Sequence, residues 1–563
     1  MKLQKQLSKS LIYGLTLCLL LASCGDNNSS GGLFGTNTVV VGMVYGSEKQ
    51  AWLDPLIQQY NTAQHKTASG ATIQVEGTAM GSIESANGIV AGTLKPVVWS
   101  PASSIYIPVA NAEWRKTNTA DLVTGKPNDL VLSPVVIAMW KPMAEALGWP
   151  AKPIGWADIA EFARSGKGWE AYGKPAYGSF KFGHTHPQFS NSGLVTALAL
   201  AYAGAGKQRG LSTDDLSKPE LRTFMEQVES SVIHYGSSTG FFGDRMFQGG
   251  TAYLSAAVLY ENLVVDQESK RLSGASSQPP VVAIYPKEGT FWSNHPYAVL
   301  NASWVTADQK AAAEDFQKFL LDKPQQQKAI ELGFRPADPT IPLSAPLNAE
   351  HGVDLQQPKT VLEVPSAEVV QATLNLWRQV KKPTDVVAVL DISGSMEGDK
   401  IATAKASLQQ FVDMLDSRDR IQIVTFSSQI NTLAPLDVIG DRRSDLKNDI
   451  AMLSEGGNTM LYDATLQAYN DLKANGDPKH IRALVVLTDG KDTSGQEVSS
   501  IMSAITPDAE SEGGKSIKIF TIAFGGDASN EVLDQISLPT GGKRYNGTPE
   551  NIRNVYADIA TFF

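Results

Sequence analysis

From residue 39 onward the chain alternates short β-branched and apolar runs with longer stretches in which apolar residues recur every three or four positions. The first pattern predicts strands buried on both faces and the second predicts amphipathic helices. Their alternation predicts βαβ units around mostly parallel sheets, an α/β fold. Strands are expected at residues 39–45, 72–76, 97–99 and 130–140, then within 253–260, 281–286 and 290–300. Helices are expected at 52–60, 143–147, from 194 onward, at 309–321 and at 325–332. Gly46, Ser47 and Glu48 read as a turn. The rhythm breaks at 341–384, where Pro342, Pro346, Pro358 and Pro365 crowd together. Ser366 is placed to cap a helix running to about residue 380, and Val369, Leu374 and Trp377 give that helix an apolar stripe to pack on a neighbour. From residue 385 the alternation resumes, with strands expected at 386–391, 420–426, 482–488 and 517–524 and a weaker one at 543–545. The intervening helices are expected at 401–415, 444–453, 461–475, 498–505, 530–536 and 551–560.

The residues before this pattern carry an address. Lys2, Lys5 and Lys9 precede an apolar stretch at 11–21 that is too short for a stable membrane span. It ends in Leu21-Ala22-Ser23-Cys24, which resembles a bacterial lipobox. The resemblance implies that residues 1–23 are a signal peptide and that Cys24 becomes the lipidated first residue. Residues 24–38, rich in Gly, Asn and Ser, read as a flexible tether. The expected location is outside the cytoplasm, membrane-anchored through Cys24, at the cell surface or on the periplasmic side. Gly25 is not the aspartate linked to inner-membrane retention, so the outer membrane is open to it. With only Cys18 and Cys24 in the chain, the mature protein has neither a disulfide nor a thiol nucleophile. A net charge of −10 with no basic stripe argues against nucleic acid as a partner.

The residues with the clearest chemistry lie in the second half. The run from Val386 ends in Asp391-Ile392-Ser393-Gly394-Ser395, which places one carboxylate and two hydroxyls where a buried strand feeds a loop. Open α/β sheets bind ligands at that edge, and this donor set suits a hard cation. Thr459 follows in a Gly-rich loop, and Asp489 ends the strand expected at 482–488. In this order the set resembles the von Willebrand factor type A domain and its metal-ion-dependent adhesion site. The resemblance implies a doubly wound domain over 385–563. It implies that Ser393 and Ser395 bind Mg²⁺ or Mn²⁺ directly, that Asp391 and Asp489 supply charge and hold waters, and that Thr459 joins on engagement. A carboxylate of a partner protein would complete the coordination.

Residues 39–340 resemble a bacterial extracellular solute-binding protein, the two-lobed receptor of ABC importers. The resemblance rests on Ser190-Asn191-Ser192-Gly193 ahead of a helix, on the strand around Tyr260-Glu261-Asn262, on His295-Pro296-Tyr297-Ala298-Val299-Leu300 and on Gly333-Phe334-Arg335-Pro336. It implies two α/β lobes with a hinge crossover near 130–137 and a return between 255 and 300. Ser190, Asn191 and Ser192 at a helix start are candidate contacts for a small polar solute. Ser47, Ser103 and Ser104 could complete the cleft from the facing lobe, and Glu261 reads as a ligand contact or a hinge residue.

Three patterns associated with catalysis do not cohere. Gly236-Ser237-Ser238-Thr239-Gly240 matches a nucleophile elbow without evident acid and histidine partners. The segment 513–516 lacks the first glycine of a phosphate loop, since Ala509 stands there. His184 and His186 lack a third zinc ligand. The expected function is therefore non-enzymatic: metal-dependent binding of a protein or other carboxylate-bearing partner at the cell surface. The alternative is the substrate receptor of an ABC-type importer, with the C-terminal domain as its docking module.

Overall fold

The computed structural model describes residues 38–509 and 517–563. The expected signal peptide, Cys24, most of the tether and the 513–516 segment lie outside the described residues. Among the described residues no helix is long and apolar enough to cross a membrane.

The N-terminal region has two lobes. The first is built on a sheet in the order Thr72–Met80, Thr38–Gly46, Val98–Ser100, Pro296–Val299, Asn128–Asp129. Its first three strands are parallel, the product of βαβ crossovers, and Pro296–Val299 joins antiparallel. Val41, Ile73 and Val98 of this sheet pack with Phe316 and Leu320 of the helix Ala307–Leu321. The second lobe is organised by Val131–Trp140, a strand buried along nearly its whole length. It pairs antiparallel with Ala256–Tyr260 and Val281–Ile284, and Phe182–Thr185 and Val232–Gly236 extend the sheet.

The chain passes between the lobes at three places: from Asp129 to Val131, from Ser293 to Pro296, and before Arg335–Pro336, which pairs back onto Val131 and Leu132. The single strand expected at 290–300 is thus two short strands, Trp292–Ser293 in the second lobe and Pro296–Val299 in the first. The break falls at His295, whose φ of 39° is left-handed and interrupts the extended backbone.

The connector helix is Ala367–Val380, with the Ser366 side chain accepting from the Val369 N–H at 3.3 Å. It buries Val369, Leu374 and Trp377 against the second-lobe helices Asn191–Ala205 and Pro219–Glu229. The Trp377 indole donates to Oε1 of the fully buried Glu229 at 3.0 Å. His184 Nε2 lies 3.1 Å from the same oxygen, and the Tyr235 hydroxyl donates to Oε2 at 2.7 Å. Both candidate zinc histidines are used here, because His186 packs its ring edge-on to Trp377 at 4.7 Å between centroids. One hydrophobic core runs through the joint, taking in Phe182 and Val232 of the second lobe, Trp377, and Val386, Phe520 and Phe563 of the C-terminal domain.

The C-terminal sheet has the order Ile430–Val438, Arg420–Phe426, Thr384–Asp391, Ile481–Thr488, Lys518–Phe524, Lys543–Gly547. All neighbours are parallel except Ile430–Val438. That edge strand is not among those expected from the pattern. Only Ala434 within it is buried and Pro435 interrupts it, so it carries no apolar period to read.

Candidate functional site

Sheet order fixes where the candidate metal residues meet. After Thr384–Asp391 the chain first adds its neighbour on one side, Arg420–Phe426, and later Ile481–Thr488 on the other. Such a reversal opens a crevice beyond the carboxyl ends of the central strands. Asp391 ends one of these strands and Asp489 follows the other.

Asp391 is fully buried. Its Oδ1 accepts from the Ser393 N–H at 2.8 Å and its Oδ2 from the Thr488 hydroxyl at 2.6 Å. Burial raises its carboxyl above the ordinary range and the nearby Asp489 charge adds to this, while the Ser393 and Thr488 hydrogen bonds oppose it. Asp489 Oδ1 accepts from the Ser395 hydroxyl at 2.7 Å, and Ser393 and Ser395 Oγ lie 3.0 Å apart. Thr459 arrives on a loop drawn in by Gly394 N–H to Gly457 O at 3.0 Å and Gly456 N–H to Ile392 O at 2.8 Å. A side-chain carbon built on Gly490 would lie 3.8 Å from both Ser395 Oγ and Thr459 Oγ1, so the two hydroxyls flank the same point. The crevice opens into a surface cavity of about 810 Å³ bordered by Ser395, Asn458, Thr459, Gly490 and Asp527.

The structure thus gathers Asp391, Ser393, Ser395, Thr459 and Asp489 at one sheet edge. The donors are all oxygen, and two of them are carboxylates. This set fits Mg²⁺ or Mn²⁺ better than zinc. The motif order did not draw attention to two further residues. Thr488 fixes Asp391, and Lys400 donates to Asp489 Oδ2 at 2.6 Å.

Between the lobes the candidate solute residues divide. Ser47 pairs its hydroxyl with Ser238 and accepts from the Gly240 N–H at 3.0 Å. Thr239, next along, joins Ser190 at 3.2 Å and donates to Ser192 at 2.8 Å. The Asn191 amide donates to the Tyr260 hydroxyl at 2.9 Å. Gly193 lets this helix start pack closely on its own lobe, since a side-chain carbon there would fall 2.0 Å from the Thr185 carbonyl oxygen. Ser103 serves local structure, its Oγ accepting from the Ile105 N–H at 3.2 Å, while the Ser104 N–H donates to the Asn294 side chain at the hinge at 2.9 Å. Glu261 is taken by Arg335, which donates through Nε at 2.8 Å and Nη2 at 2.7 Å, and by the Tyr285 hydroxyl.

The turn read at Gly46–Glu48 is instead a buried short helical segment, Ser47–Lys49. Lys49 Nζ lies 2.8 Å from Glu48 Oε1 and 3.3 Å from His295 Nδ1, all three residues being buried at the hinge. Burial alone would raise the Glu48 carboxyl, but Lys49 and His295 hold it down at about 2. Burial first, and then Lys49, pushes the His295 imidazole down to about 4. Sequence adjacency of Glu48 and Lys49 gives no hint of this cluster, because its third member is brought in only by the fold.

Comparison with known proteins accords with this architecture. The model of the bacterial extracellular solute-binding protein family matches residues 41–335, and that of the von Willebrand factor type A domain matches residues 385–557. Inter-alpha-trypsin inhibitor heavy chain H4 of Bos taurus is 32% identical over 172 residues, which is 28% of this chain and only 18% of that protein. An uncharacterized protein of Mycobacterium tuberculosis is 22% identical over 487 residues, 80% of this chain and 65% of its own length. Among solved structures, a periplasmic thiamin binding protein covers 61% of this chain and 96% of its own at 13% identity and a TM-score of 0.44. The von Willebrand factor type A protein from Catenulispora acidiphila covers 32% of this chain and 42% of its own at 20% identity and a TM-score of 0.28. The first family match takes in more than half of the residues, so this chain belongs to the bacterial extracellular solute-binding proteins, here carrying a C-terminal von Willebrand factor type A domain.

Proposed function

We propose that this is a surface-displayed binding protein, not an enzyme, whose C-terminal domain holds Mg²⁺ or Mn²⁺ and through it engages a carboxylate of a partner protein. Ser393, Ser395 and Thr459 offer hydroxyl oxygens to the ion, and Asp391 and Asp489 balance its charge. A bound hard cation supplies an open coordination position that a partner's glutamate or aspartate can fill. The observation that carries this reading is the meeting of these five residues at the switch point, beside a cavity open to the surface. Lipidation at Cys24 would hold the protein at the membrane and leave the domain facing outward. The test is calorimetric titration of the chain with Mg²⁺. One ion should bind, and Asp391→Ala should abolish binding; unchanged binding in the variant would refute the assignment.

A second reading, receptor for a small polar solute, has its own support. Asn191 Oδ1, His295 Nε2 and Ser100 Oγ are buried near the inter-lobe seam without a hydrogen-bond partner. Buried polar atoms of this kind are ordinarily satisfied, by water if not by protein, and a solute between the lobes would satisfy them. Native mass spectrometry of protein purified without denaturation tests this by looking for a retained small molecule. Recovery of the bare mass alone would count against the receptor reading.

A further inference from the structure

We propose that Lys400 is a resident counter-cation of the metal site, one that weakens the site's grip on the ion and thereby makes ion binding depend on an anionic partner. The inference rests on the metal reading above and adds a residue that the adhesion motif does not include.

The placement of Lys400 is unusual for its element. The helix Asp399–Met414 starts directly after the Ser393–Ser395 loop, so Lys400 lies in its first turn. The amino end of a helix carries partial positive charge and disfavours a cation. The ammonium nevertheless sits there, 2.6 Å from Asp489 Oδ2 and 3.3 Å from the Ser395 carbonyl oxygen. The Asp489 carboxylate is fully buried, while the lysine side chain keeps 33% of its surface exposed. A side-chain carbon on Gly525 would lie 3.7 Å from Lys400 Cε, so the lysine stem runs close along the Gly525 backbone.

The consequence follows from which atoms are taken. Ser395 holds Asp489 Oδ1 and Lys400 holds Oδ2, so both carboxylate oxygens are engaged. Ser395 can donate its proton to Asp489 and still offer lone pairs to an ion, whereas the lysine contributes only positive charge. The two carboxylates and Lys400 sum to one negative charge, and a divalent ion turns the site to one positive charge. Without Lys400 the loaded site would be neutral. The lysine therefore opposes the ion, and an incoming carboxylate cancels the excess. Ion and partner are coupled, each strengthening the other by the same factor.

The experiment is a Mn²⁺ titration of the whole chain followed by electron paramagnetic resonance, comparing wild type, Lys400→Met and Lys400→Arg. Each titration is run with and without excess glutarate as the carboxylate probe. A unit charge about 6 Å from a divalent ion changes affinity by about tenfold even at the bulk-water dielectric of about 80. Lys400→Met should therefore bind Mn²⁺ about tenfold more tightly, and Lys400→Arg should behave like wild type. Glutarate should strengthen Mn²⁺ binding in wild type more than in Lys400→Met. A lysine that merely supported the loop would give the opposite result, weaker binding in Lys400→Met. Equal or weaker binding in that variant overturns the proposal. Absence of Mn²⁺ binding in all three proteins overturns the metal reading itself, and the inference with it.

Discussion

Replacing Trp377 tests whether the solute-binding region and the C-terminal domain act as one mechanical unit. The indole is fully buried in the joint, with its ring against His186 and Tyr235 and its N–H on the Glu229 carboxylate. Trp377→Ala leaves a cavity and removes a donor from a buried charge. The cavity costs about 3–5 kcal/mol. Loss of a hydrogen bond to a charged group costs about 1.5–3 kcal/mol. The two losses share one site and do not simply add, so about 4–6 kcal/mol is expected. Trp377→Phe keeps most of the ring and forfeits the donor, for about 1.5–3 kcal/mol.

Scanning calorimetry of the whole chain reads the result. The continuous core through the joint implies that the wild-type domain and second lobe unfold together. Trp377→Ala should split this into two transitions, and Trp377→Phe should lower one shared transition. A single unsplit transition at the wild-type temperature in Trp377→Ala would show that the joint carries no load, and the reasoning from the shared core would fail.

Two further outcomes are expected. His295 is held neutral by burial and by Lys49 at about 4, below its ordinary 6.5, so the unfolded chain binds the extra proton between these values. Its contribution to stability is complete above pH 6.5 and is lost as pH falls toward 4. Buried His186, also depressed, adds to the same slope. Denaturant midpoints across this range should fall with acid, and His295→Asn, which tolerates the left-handed backbone, should flatten part of the slope; an unchanged slope would contradict the assignment. Arg335→Met strands the buried Glu261 carboxylate at the third hinge crossing and should cost about 3–5 kcal/mol in urea unfolding; a loss under 1 kcal/mol would mean that water already screens the pair.

What the sequence disclosed and what it hid follow one division. The strand ending at Asp391 was legible because an unbroken β-branched run and the loop after it are local facts. The Ser366 cap was legible for the same reason. Residues whose roles depend on distant partners were not. Gly46, Ser47 and Glu48 read as a turn, and only the return of the chain at His295 makes Glu48 and Lys49 part of a buried cluster. Glu261 stood at a strand end as a ligand contact or a hinge residue, and nothing nearby in sequence announced Arg335, its partner at the hinge. The edge strand Ile430–Val438 escaped because a strand with one exposed edge and almost no buried side chains has no period to detect. Lys400 escaped because a lysine in a helix reads as surface until its carboxylate partner is known.

The joint also bears on how the proposed metal site would reach a partner. Contacts between the C-terminal domain and the second lobe gather at the amino ends of the parallel strands. Lys382, just before Thr384–Asp391, donates to the Val232 carbonyl at 3.0 Å. Arg245 donates to the carbonyls of Gly541 and Gly542 at 3.1 and 3.2 Å, just before Lys543–Gly547. Arg418, ahead of Arg420–Phe426, donates to the Gln379 carbonyl of the connector helix at 2.7 Å. Asp391 and Asp489 lie at the opposite, carboxyl ends. A strand of eight residues at about 3.3 Å each separates the two edges by about 25 Å. The domain is therefore seated on the second lobe by one edge of its sheet, and the Asp391 edge lies at the far end of the strands from that seat. A long flexible linker would have allowed the same separation, but at the entropic cost of fixing the domain each time a partner binds. Under the proposed function, a mount fixed by the buried Glu229 cluster and the connector helix would remove that cost.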